Sequence, residues 1–109
     1  MLENNLKAIS PLDGRYYDKT SELTGIFSEF GLIKYRVLIE IKWIQYLSTV
    51  DDIKELPPLD KSINDKLNNI IENFDITDAL KIKSIEKITN HDVKAVEYFL
   101  KNRFKSLRF

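Results

Sequence analysis

The sequence predicts an all-α fold, a small helical domain, and three observations carry that expectation. The composition is 43% hydrophobic and 31% charged, with three Gly and three Pro in 109 residues. That is too apolar for a disordered tail and too poor in turn residues for a many-stranded β-sandwich. Apolar residues recur in steps of three and four through most of the chain, the period of a helix with one face on a core. The length is that of one ordinary domain, 1–109, holding a single core.

Residues 1–19 read as an irregular arm, because Ser10-Pro11, Asp13-Gly14 and Tyr16-Tyr17 carry turn chemistry without helical or strand period. A short helical piece follows around Thr20 to Phe27, and Ser28 then caps a long helix running to about Ser48. On that helix Phe30, Ile33, Val37, Ile41, Ile44 and Leu47 (or Ser48) form one apolar face, while Leu32, Ile39, Trp43 and Tyr46 form another. Two faces need two partners, so the isolated chain is expected to self-associate with Trp43 near the contact. Arg36 and Glu40, four apart, are placed to pair on the remaining polar strip.

Asp51-Asp52 and Pro57-Pro58 make residues 49–59 a connector. Asp60 caps the next helix, where Ile63, Leu67, Ile70, Ile71 and Phe74 make a single stripe. A third helix begins near Asp75 to Asp78, carries Leu80 (or Ile82), Ile85 and Ile88, and stops at the polar run Thr89-Asn90-His91-Asp92. The final helix turns Val93, Val96, Phe99 and Leu100 inward, runs to roughly Phe104, and takes Asn90 or Thr89 as its cap with Asp92 in its first turn.

Lys+Arg and Asp+Glu both total 17. A balanced charge gives no general field for nucleic acid or an anionic membrane surface. The four basic residues from Lys101 onward lack an aromatic platform for bases. No stretch of about 18 apolar residues occurs that would cross a bilayer, and residues 1–10 lack the basic and apolar segments of a leader; the expected location is the cytoplasm. Without cysteine there is no disulfide framework, thiolate metal site or cysteine nucleophile, and a single histidine offers too few ligands for a metal. No glycine-rich phosphate loop, dinucleotide fingerprint or nucleophile elbow occurs, and no cofactor is expected.

Two places could still do chemistry. Arg15 follows Asp13-Gly14 and precedes Tyr16, so a turn would present a guanidinium and a phenol side by side to an anion such as phosphate. His91 lies with Asn90 and Asp92 at the start of a helix, where backbone N–H groups and imidazole meet an approaching anion or polar group. Each also has an ordinary structural reading, as loop polarity and as capping chemistry respectively.

Three strings lift these residues out of anonymity. Ser10-Pro11-Leu12-Asp13-Gly14-Arg15-Tyr16, then Gly25-Ile26-Phe27-Ser28-Glu29-Phe30-Gly31-Leu32, then Thr89-Asn90-His91-Asp92-Val93-Lys94-Ala95-Val96-Glu97-Tyr98-Phe99-Leu100 resemble, in the same order and at similar spacing, the N-terminal region of the bacterial adenylosuccinate lyases of the fumarase and aspartase superfamily. The resemblance implies a mostly helical, homotetrameric enzyme that eliminates fumarate from adenylosuccinate and from the succinylated aminoimidazole carboxamide ribotide in purine synthesis. It implies that Arg15 and Tyr16 bind the substrate phosphate and that Asn90, His91 and Asp92 line the pocket. It also implies that the serine base and histidine acid belong to a later helical bundle, so that no catalytic residue lies in this chain and the chain alone is inactive. On this reading the chain is a first domain or a truncated product, and residues 102–109 fit the family less well. The competing class is a non-enzymatic interaction module docking through the two-faced helix, which would not require both the Ser-Pro-Leu-Asp-Gly-Arg-Tyr and Thr-Asn-His-Asp-Val-Lys strings.

Overall fold

Ser28 ends one helical turn and begins the longest helix, and its side chain shows how. Its hydroxyl accepts the Gly31 N–H at 3.0 Å while its carbonyl takes the Leu32 N–H at 2.9 Å, which satisfies donors that a helix start leaves open. The computed structural model describes residues 2–106, and among them helices and turns occur without a strand. The chain divides into two units, one ending at Leu32 and the other beginning at Ile33.

The first unit is built from short pieces: α1 (Leu2–Leu6), α2 (Tyr17–Thr20), a 3₁₀ turn over Ser21–Leu23 and α3 (Thr24–Phe27), followed by the start of α4 (Glu29–Leu47). The stretch expected to be irregular therefore contains two helical turns. Between them the Asp13 carboxylate accepts the Ser10 N–H at 2.9 Å, and the Thr20 hydroxyl donates to the Leu12 carbonyl at 2.8 Å. Side-chain oxygens here do the work that a hydrophobic core does elsewhere. Two glycines are required by close approach. A Cβ at Gly14 would stand 2.5 Å from the Asn5 carbonyl oxygen, and one at Gly31 would stand 2.7 Å from that of Ile26.

The second unit comprises the rest of α4 with α5 (Lys61–Glu72), α6 (Ile76–Thr89) and α7 (Asp92–Ser106). α4 buries Ile33, Val37 and Ile41 on the face expected to meet the core, and Ser48, just past its end, is buried too. Its other face stays open: Leu32, Ile39, Trp43 and Tyr46 are all at least half exposed. Asp60 caps α5 by accepting the Ile63 N–H at 2.8 Å, and Leu67, Ile70 and the following Phe74 are buried as the stripe requires. Gln45 of α4 donates to Asn68 of α5 at 3.0 Å.

α6 opens on a capping box in which Asp75 and Asp78 each accept the other's backbone N–H. Asp78 is buried, and its carboxylate also receives the Arg103 guanidinium from the last turn of α7. Arg103 lies over the Phe99 ring, and Phe99 meets Phe74 edge-on at 6.1 Å. Arg103 is thus a structural member of this unit; Leu107, Arg108 and Phe109 of the expected atypical tail lie outside the described residues.

Two core expectations need correction. Ile88 and Val93 are 87% and 37% exposed, whereas Ala79, Ala95 and Val96 are buried; of the alternatives Leu80 and Ile82, Ile82 is the buried one and Leu80 is 60% exposed. On α7 the expected Val96, Phe99 and Leu100 are buried and only Val93 lies off the inner face, whereas α6 turns Ala79 and Ile82 inward in place of Ile88. Alanine lets backbones approach closely, and a face led by alanine carries little signal in a pattern ranked by side-chain size.

Ile41 is completely buried, while Trp43 two residues on is 55% exposed. Ile41→Ala should therefore cost about 2–5 kcal/mol in denaturant unfolding, and Trp43→Ala about 1 kcal/mol or less. Acrylamide quenching of Trp43, the sole tryptophan, should approach that of the unfolded chain; a strongly protected indole would contradict an open second face.

Candidate substrate-binding residues

The first group sits on the turn between α1 and α2. Tyr16 N–H bonds the Pro11 carbonyl at 3.0 Å and Gly14 is buried beneath the turn, so Arg15 projects from a backbone that is held on both sides. Its guanidinium lies over the Tyr16 ring, 4.6 Å from the centroid. Stacking of that kind orients a planar cation without consuming its N–H donors. Arg15 has no carboxylate partner among the described residues. A cavity of about 240 Å³ opens beside it, walled by Leu6, Ala8, Ile9 and Pro11. The expected pairing of Arg15 with Tyr16 is present, with cation and phenol both exposed.

The second group occupies the corner between α6 and α7, and its three residues do different things. Asn90 is in the left-handed region (φ 53°, ψ 29°), where its N–H closes α6 on the Glu86 carbonyl at 2.8 Å. Asparagine is among the few residues other than glycine that adopt this conformation readily. Asn90 therefore terminates α6 and cannot cap α7.

The cap of α7 is His91, in place of the expected Asn90 or Thr89. Its carbonyl accepts the Ala95 N–H at 3.1 Å, and its Nδ1 accepts the Lys94 N–H at 3.2 Å. Thr89 supports the corner from behind, its hydroxyl accepting the His91 N–H at 3.2 Å. A ring nitrogen that accepts a hydrogen bond carries no proton, so in the neutral imidazole the proton is on Nε2. The exposed edge of His91 is a donor.

Asp92 uses both carboxylate oxygens. Oδ1 accepts the Val93 N–H at 2.8 Å, and Oδ2 pairs with Nη1 of Arg36, from α4, at 3.0 Å. The expected Arg36–Glu40 pair is replaced by this contact, because the corner brings a carboxylate to Arg36 that no local spacing announces. Arg36 is the residue of this group that the sequence pattern missed. The Val93 N–H is the largest influence and holds the Asp92 carboxyl below its ordinary value; burial opposes it next in size, and the Arg36 charge and hydrogen bond follow as further lowering effects.

Arg15 and Tyr16 belong to the first unit and Asn90, His91 and Asp92 to the second. Among the described residues no group of His and carboxylates is placed to hold a metal ion.

No family model matches the chain. The chain is 53% identical over 103 residues to the adenylosuccinate lyase of Haemophilus influenzae, a stretch covering 94% of this chain and 23% of that protein. It is 52% identical over 100 residues to the adenylosuccinate lyase of Escherichia coli, covering 92% and 22%. It is 50% identical over 101 residues to the adenylosuccinate lyase of Dictyostelium discoideum, again covering 92% and 22%. The chain belongs to the adenylosuccinate lyase family. It corresponds to the N-terminal part of these relatives and spans about a fifth of their length. The predominance of helix, with no strand among the described residues, agrees with that membership.

The Asp92 geometry makes a pH prediction with a definite sign. A carboxyl held lower in the folded than in the unfolded chain contributes stability above its unfolded value, and that contribution is lost as pH falls through the folded one. The side chain is 52% exposed, so the contribution is small. Followed by its carboxyl ¹³C signal, Asp92 should titrate below the ordinary aspartate value. Arg36→Leu should return it only part-way, since the Val93 N–H remains; a complete return would reverse the order of causes.

Proposed function

We propose that this chain supplies the N-terminal, substrate-binding part of an adenylosuccinate lyase. That enzyme eliminates fumarate from adenylosuccinate and from the succinylated aminoimidazole carboxamide ribotide. The single observation that carries the reading is identity of 50–53% to such lyases across more than nine-tenths of the chain. In this reading Arg15 and Tyr16 take the substrate phosphate, and Asn90, His91 and Asp92 line the pocket. A stacked, unpaired guanidinium with all its donors available suits a phosphate, and an Nε2–H at a helix start suits an acceptor on the substrate.

Elimination removes a proton from carbon, breaks the adjacent carbon–nitrogen bond and protonates the departing nitrogen, which calls for a base and an acid. The chain has one imidazole, and its Nδ1 is engaged by the Lys94 N–H. The base and the acid are accordingly assigned to the remaining four-fifths of the enzyme. No helix among the described residues is long and apolar enough to cross a membrane, and the proposed setting is the cytoplasm. The exposed Ile39, Trp43 and Tyr46 face of α4 suits burial in a larger assembly, with a homotetramer as the proposed form.

Two measurements test this. The 109-residue chain, freed of host enzyme, should show no spectrophotometric turnover of adenylosuccinate; sustained turnover would place the acid and base within it. In the full-length lyase, Arg15→Ala should weaken substrate binding by roughly 1.5–3 kcal/mol, the worth of one charge-assisted contact. It should also lower the preference for the nucleotide over its dephosphorylated nucleoside. An unchanged preference would remove Arg15 from the phosphate site.

A further inference from the structure

The corner contains an unused encounter. Asp92 Oδ1 stands 4.0 Å from His91 Nδ1, too far to accept a hydrogen bond but close enough that a turn of the carboxylate would bring an oxygen into range. Such a bond needs a proton on Nδ1, whereas Nδ1 now accepts the Lys94 N–H. The two arrangements exclude each other. In one, imidazole caps α7 and exposes Nε2–H; in the other, Nδ1–H donates to Asp92, the Lys94 N–H loses its acceptor, and the exposed Nε2 becomes an acceptor.

The carboxylate is kept from turning by its two present partners. The Val93 N–H holds Oδ1 from the same helix, and Arg36 reaches from α4 to hold Oδ2. Of these only Arg36 comes from another element, and its side chain is the less exposed member of the pair, 29% against 52%. We propose that Arg36 is a positioning residue for His91: by holding the Asp92 carboxylate away from Nδ1, it fixes the tautomer in which His91 offers Nε2–H to a ligand. The use of that donor for a substrate rests on the proposed function, but the tautomer itself is a property of the free chain, so the two readings fail separately.

The experiment is ¹⁵N NMR of the imidazole in the full 109-residue chain, in mildly alkaline buffer where imidazole is neutral. In the unaltered chain Nδ1 should give the signal of an unprotonated, accepting nitrogen. In Arg36→Leu the Nδ1 signal should move toward the protonated position, and exchange of the Lys94 amide should rise roughly three- to tenfold, as expected for one lost hydrogen bond. Asp92→Ala breaks the same ion pair but leaves no carboxylate to draw the proton, so its Nδ1 should remain an acceptor. Arg36→Lys should largely restore the original signal. A merely structural ion pair would make Arg36→Leu and Asp92→Ala alike. Equal shifts in those two variants, or no Nδ1 movement in Arg36→Leu, would overturn the proposal. If Arg36→Leu does not fold, Arg36→Gln, which keeps the stem and a neutral donor, should show a smaller shift of the same sign, and a flat response there would overturn it equally.

Discussion

The second unit depends on how abruptly α6 becomes α7. Asn90 and His91 alone separate a helix of 14 residues from one of 15, and the chain reverses across them. A connection this short obliges the two helices to pack against each other as an αα-hairpin. It is achieved by one left-handed residue followed by one capping residue. The opposite end is closed by Asp78 and Arg103, which join the first turn of α6 to the last turn of α7. Between these two fastenings lie Ala79, Ile82, Ala95, Val96 and Phe99, all buried. The small residues make the approach possible, and the larger ones supply most of the apolar burial, roughly 1.5–3 kcal/mol for each large side chain.

Using the corner as both joint and binding surface has a consequence for chemistry. Asn90 contributes its backbone conformation, His91 its Nδ1 and Asp92 both carboxylate oxygens to holding the corner. What remains for a ligand is the Asn90 side chain and the outer edge of His91. Loss of any of the three side chains would therefore mix a structural effect with a binding effect. A reading based on substrate affinity alone would assign to contact what partly belongs to preorganisation. The Arg15 turn differs. There the backbone is held by Ser10, Asp13 and Thr20, and the guanidinium itself supports nothing but its stack on Tyr16.

Much of this was legible in the sequence, and the limits have a common cause. The α5 stripe, the Asp60 and Ser28 caps and the two faces of α4 are local: each is written within one or two helical turns, where spacing alone places a side chain. The all-α class follows from the same periodicity. Ile88 and Val93 lie off the buried faces because local spacing ranks large side chains, whereas Ala79 and Ala95 are the small residues that let α6 and α7 approach. The His91 cap escaped because imidazole is not among the usual capping groups, and because the left-handed state of Asn90 removes the better capping residue from its expected role. Arg36 escaped for a simpler reason. Its partner is 56 positions away in the chain, and only the folded arrangement of α4 and α7 joins them.

The two faces of α4 express the same division between what is complete within the chain and what is open. Along one side, Ile33, Val37 and Ile41 are buried. Along the other, Ile39, Trp43 and Tyr46 stay open, with Trp43 and Tyr46 stacked on each other at 5.9 Å. A stack between neighbours on one helix relieves only part of the apolar exposure, because the outer face of each ring still meets water. The helix is therefore stable through one face and unsatisfied on the other. A scaffold of this kind holds Arg36, and through it Asp92 and His91, in place through contacts within the second unit. Arg36 stands three residues before Ile39 and seven before Trp43, so on this helix the corner's anchor and the open face are neighbours.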